Sequence, residues 1–72
     1  MPRRLKLSAL QRDILMMLEE AGTETVGTVT ATLKPSRDEF TAKVDQLVSL
    51  GLIRKDGDSL VLTEKGKIAL TT

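Results

Sequence analysis

TVGTVTATLKPSRDEFTAKVDQLVSLGLIRKDGDSLVLTEKG, residues 25–66, holds the densest structural signal in the chain. Its first part is rich in threonine and valine, whose intrinsic preference is for strand. The spacing argues otherwise: Val26, Val29 and Leu33 recur at helical intervals, Thr25 suits an N-cap, and Pro35 stops a helix at or before Lys34. A short helix over 25–33 is therefore expected, with room for one extended pair of residues ahead of it. Ser36 is a second N-cap, and Glu39 three positions on makes a capping box. Phe40, Val44, Leu47 and Leu50 then form the apolar stripe of a longer helix, 36–50. Gly51 ends it, because a residue with positive φ fits the exit from helix into strand. Leu52 and Ile53 start an extended run, Asp56-Gly57 signals a hairpin, and Leu60, Val61 and Leu62 form the return strand, so 52–62 reads as a two-stranded β-ribbon. Thr63 caps a last short helix over 63–70.

Upstream of that stretch, Leu7, Leu10, Ile14, Met17, Leu18 and Ala21 share one side of a helical wheel, with Arg12, Asp13, Glu19 and Glu20 opposite them. This predicts a helix over 7–21, with Ser8 as a cap and Gly22 as its stop. Residues 1–6 form a basic arm carrying Arg3, Arg4 and Lys6. The whole chain, 1–72, reads as a single α+β domain, mostly α.

Composition narrows the chemistry. A chain of 72 residues has no room for a large cleft. Its one aromatic residue, Phe40, leaves the core to Leu, Ile, Val, Met and Ala and excludes base-stacking platforms. The absence of cysteine and histidine removes disulfides, thiolate nucleophiles, imidazole bases and Cys/His zinc sites. Asp56 and Asp58 flank a tight glycine turn, and the further ligands of a calcium loop are missing. Gly22 and Gly27 match neither a dinucleotide fingerprint nor a P-loop. No catalytic, metal or cofactor site is expected. Met1 to Lys6 is basic, but the apolar positions after it alternate with polar ones, so neither a signal-peptide core nor a membrane span is expected and the default location is cytoplasmic. Eleven basic against ten acidic side chains give a net charge of +1, so any polyanion site must arise from local clustering.

Three helices followed by a hairpin resemble the winged helix-turn-helix family of bacterial and archaeal transcription regulators, and the likeness runs from about Leu7 to Leu70. Thr25 to Leu33 resembles the first helix of the family's motif, and Ser36 to Gly51 its recognition helix. Leu47-Val48-Ser49-Leu50-Gly51-Leu52-Ile53 is similar to the family's closing phrase, and Leu62-Thr63-Glu64-Lys65-Gly66 to its wing-to-last-helix phrase. The resemblance implies that the recognition helix enters the major groove of duplex DNA while the wing lies on the neighbouring backbone or minor groove. Residues facing the groove would then be Ser36, Arg37, Asp38, Thr41, Ala42, Asp45 and Gln46. Relatives often carry a basic residue where Ala42 stands.

The DNA-contact set expected on this basis is Arg3, Arg4, Lys34, Ser36, Arg37, Thr41, Gln46, Arg54 and Lys55. Arg37, Thr41 and Gln46 would meet bases or adjacent phosphates; Lys34, Arg54, Lys55 and the arm would meet phosphates. A homodimer is expected, since one recognition helix spans only a few base pairs. Bland readings stand beside these. Arg54 and Lys55 also balance Asp56 and Asp58 across a solvated turn, Arg37 and Lys43 lay their methylenes over the core, and charged chain ends keep small proteins soluble. The helical wheel turns Asp38, Ala42, Asp45 and Ser49 most directly outward, and the two carboxylates repel phosphate. The alternative reading is therefore a winged-helix protein-interaction module whose acidic face, Asp38 and Asp45, docks a basic partner, with Met16 on the polar side of the first helix and Leu15 on its flank as a further contact.

Overall fold

A computed structural model of the chain describes residues 7–71. The arm residues Arg3, Arg4 and Lys6 lie outside the described residues. The elements run α1 (Ala9–Ala21), β1 (Thr23–Thr25), α2 (Val26–Leu33), α3 (Arg37–Ser49), β2 (Ile53–Asp56), β3 (Ser59–Leu62) and α4 (Glu64–Thr71).

Local chemistry sets most boundaries. Ser8 caps α1, accepting from the Gln11 backbone N–H, while the Gln11 side chain accepts from the Ser8 N–H at 2.9 Å. The complete capping box thus sits here. At Ser36 the reciprocal arm does not form: its hydroxyl accepts from the Glu39 N–H at 3.2 Å, and the Glu39 side chain stays in solvent. Gly22 ends α1 at φ 83° and donates to the Leu18 carbonyl. Thr25 caps α2 through the Thr28 N–H, and Thr30 turns its hydroxyl back onto the Val26 and Gly27 carbonyls. The Thr25 cap supports a β-branched, strand-favouring segment in the helical form.

The wing is more than a ribbon. Thr23–Thr25 pairs antiparallel with β3, Thr23 opposite Val61 and Thr25 opposite Ser59, giving a three-stranded sheet of order β1-β3-β2. The two-stranded expectation missed β1 because its partner lies more than thirty residues away in sequence. β2 and β3 join through Gly57 and Asp58; Gly57 has φ 60° and Asp58 is not left-handed, the type II′ arrangement that matches strand twist. The hairpin tip is tied down as well, since the Asp58 carbonyl accepts from the Val26 N–H at 2.7 Å.

One core joins these elements. Ile14, Leu15 and Leu18 of α1 pack with Val29, Phe40, Val44, Leu47, Leu52, Ile53, Leu60 and Leu62. Leu15 is 0% exposed, which corrects its placement on the flank of an outer contact surface: the buried arc of α1 is wide enough to take it in. Gln11 is buried too, at 1% exposed, although its residue type suggested a polar surface position. Met16 does stand in solvent, 54% exposed.

α4 closes the core from the chain's C-terminal side. Thr63 anchors it, donating from its hydroxyl to the Gly51 and Leu52 carbonyls and accepting from the Gly66 N–H. Gly66 is buried, and a Cβ there would collide with the Leu52 carbonyl oxygen and Leu62 Cδ1. Backbone lies directly against backbone at this point, so only glycine fits. Gly66→Ala is expected to destabilise the domain by about 1–3 kcal/mol. Gly27, with nothing near its Cβ position, is the control, and Gly27→Ala should stabilise by about 0.5–1 kcal/mol. Urea denaturation of both variants checks the pair of signs.

Candidate nucleic-acid interface

α3 is held by one side and open on the other. Phe40, Val44 and Leu47 are buried, whereas Arg37, Asp38, Thr41, Ala42, Asp45, Gln46 and Ser49 are all exposed. No described part of the chain covers that outer face. Its N-terminus follows a sharp junction: Lys34 closes α2 in the left-handed conformation, φ 53° and ψ 46°, donating its N–H to the Thr30 carbonyl. Pro35 accounts for the stop, because its ring disfavours the right-handed helical conformation in the residue before it, and the left-handed turn is a common way for a helix to end. Lys34 and Arg37 thus stand on either side of the junction, both exposed.

The described cations are free to act. Among the described residues a single ion pair forms, Lys67 with Glu64 at 3.5 Å on the surface of α4. Lys34, Arg37, Arg54 and Lys55 therefore neutralise no carboxylate of the described chain. Among the described residues, the carboxylates of Asp38 and Asp45 take no ion-pair partner either.

The sheet separates two residues that the sequence grouped. Arg54 lies opposite Val61 and Lys55 opposite Leu60, so the pleat sends them to opposite faces. Lys55 shares the face of Ile53, Leu60 and Leu62, at the edge of the core; Arg54 shares the outer face with Val61 and Thr23. A flat surface laid on the wing meets one of them.

Two polar residues of the expected set are partly engaged within the fold. Ser36 spends its acceptor on the cap. Gln46 accepts through Oε1 from Gln11 Nε2 at 2.8 Å, and the same Nε2 reaches the Lys43 carbonyl at 3.4 Å. Gln11 is the residue of this site that sequence reading missed. Its signal was present: Ser8-x-x-Gln11 is itself a capping-box pattern. Among the described residues, no group of acidic, histidine or cysteine side chains is placed to hold a metal, and no helix is long and apolar enough to cross a membrane.

Four helices, the recognition-helix junction and a wing hairpin define a winged helix-turn-helix fold. Solved structures share it. The chain is similar to the transcriptional repressor CouR, solved bound to p-coumaroyl-CoA, with a TM-score of 0.81 and 29% identity over 92% of this chain and 48% of that one. It is also similar to a MepR-like protein complexed with pseudoligands, with a TM-score of 0.78 and 25% identity over 90% of this chain and 51% of that one. The chain thus spans about half the length of these proteins. No protein-family model and no curated protein sequence matches it.

The left-handed Lys34 allows backbone strain and surface charge to be told apart. Lys34→Gly is expected to raise stability by about 1 kcal/mol, because glycine occupies this conformation without the Cβ clash. The same change removes a cation from the junction. Thermal and urea melts measure the first effect independently of any ligand.

Proposed function

We propose that this chain is a DNA-binding winged-helix protein, a small transcriptional regulator that reads duplex DNA with α3 and the wing and acts as a homodimer in the cytoplasm. The observation that carries the reading is the uncovered outer face of α3, in a fold that superposes over nearly its whole length on a transcriptional repressor. Lys34 and Arg37 supply charge at the junction, Thr41 and Gln46 supply hydrogen-bonding groups along the helix, and Ser36 keeps a hydroxyl proton to donate. Arg3 and Arg4, from the arm, add phosphate contacts. The wing rests on the backbone rather than inserting. Its two-residue turn is short, and its tip carbonyl is bonded to the start of α2, which holds it close to the body of the domain.

Duplex affinity measured across a salt series tests this. The logarithm of the binding constant should fall linearly with the logarithm of salt, and Arg37→Ala should flatten the slope by about 1. Of Arg54→Ala and Lys55→Ala, one should flatten it and the other leave it unchanged. Equal effects would mean that both faces of the wing meet DNA, as an inserted wing would. No duplex binding at low salt would overturn the reading.

One observation favours a second reading, a protein-interaction module. The carboxylates of Asp38 and Asp45, which pair with no described cation, occupy the outer face of α3, where a basic partner would be attracted and phosphate repelled. Under that reading Met16 extends the contact surface. The double variant Asp38→Lys with Asp45→Lys separates the two: it should strengthen duplex binding if α3 faces phosphates and abolish partner capture if α3 docks a protein.

A further inference from the structure

The Gln11–Gln46 contact has consequences for what α3 can read. Gln11 sits in the interior with both ends of its amide engaged by groups of fixed polarity. Its Oε1 accepts from the Ser8 backbone N–H at 2.9 Å, and a backbone N–H only donates. Its Nε2 faces the Lys43 carbonyl, which only accepts. These two backbone groups fix the amide orientation of Gln11, so the group it turns toward Gln46 is a donor. Gln46 must answer with its oxygen, and it does so at 2.8 Å. Its own Nε2 donates no hydrogen bond to the described residues, and Gln46 is an exposed residue, so that NH2 group is turned toward the open side of α3. Gln46 lies one turn after Ala42 and just under one turn before Ser49, both on the open side of α3.

We propose that Gln46 is a specificity-determining residue that turns its N–H donors rather than its oxygen toward DNA, and that buried Gln11 is the positioning residue that makes it so. This rests on the DNA-binding reading above. A free glutamine pairs with adenine by using both halves of its amide, one donating to N7 and the other accepting from the N6 amino group. With its oxygen turned inward onto Gln11, Gln46 cannot lay oxygen and NH2 side by side along one adenine edge. Two N–H donors match guanine instead, whose major-groove edge offers acceptors at O6 and N7. The position read by Gln46 is therefore expected to prefer guanine over adenine on the order of tenfold.

Selection of binding sites from random duplex DNA, with wild type, Gln46→Glu and Gln11→Met in parallel, tests the inference. Gln46→Glu keeps an oxygen for Gln11 but turns a second oxygen outward, so its melting temperature should stay close to wild type. At one position its preferred base should change from guanine to cytosine, whose N4 amino group donates. Gln11→Met frees the Gln46 oxygen and should admit adenine at that same position. A purely structural role for the pair would move the melting temperature and leave base preference alone. Identical preferences for wild type and Gln46→Glu at every position would overturn the inference while leaving DNA binding intact. A wild-type adenine lost in Gln46→Glu would overturn it too, since the oxygen would then be reading the base. A wild type that enriches no sequence would overturn the proposed function itself, and this inference with it.

Discussion

Burial of one face of α1 is the constraint on which the domain depends. Ile14, Leu15 and Leu18 lose all solvent contact, and the helix that carries them packs against α2, α3, α4, β1 and β3. In so small a chain there is no second core to fall back on. The outward-facing residues of α2 and α3 are placed by how those helices dock on α1. The width of the buried arc follows from that centrality. A helix covered on several sides needs a broader apolar surface than a two-layer packing does, which is why Leu15 is inside.

Polar anchoring complements that apolar face. Gln11 caps the start of α1, crosses to the Lys43 carbonyl and holds Gln46, so two of the three bonds made by one buried amide tie α1 to α3. Apolar packing alone tolerates small slides of one helix on another; directional hydrogen bonds in a low-dielectric interior do not. α3 is thereby held in a defined register while its outer side stays open. At the other end, Thr63 and Gly66 bring α4 onto the Leu52 backbone, and the wing leaves the body from that same point.

The electrostatics of the outer surface are unresolved within the chain itself. One ion pair among the described residues leaves both signs of charge to external partners. A net charge of +1 then means little compared with where the charges stand. Cations gather at the α2–α3 junction and on the wing, while carboxylates lie along the middle of α3.

Local signals in the sequence determined most of the architecture. Helical spacing marked α1, α2 and α3, Thr25 and Pro35 bounded α2, and Asp56-Gly57 placed the hairpin, because caps and turns act within three or four residues. The exposed positions of α3 followed from the same period. Only the tertiary structure decided the rest: the third strand, the burial of Leu15 and Gln11, the opposite faces of Arg54 and Lys55, and the reason Gly66 must be glycine. Each depends on a partner far away in sequence, Val61 for Thr23, Lys43 and Gln46 for Gln11, Leu52 for Gly66. A pattern read along one segment records which side of an element is apolar. It does not record what the other segments bring to that side, and it is such a distant contact that turns the Gln46 oxygen inward onto Gln11.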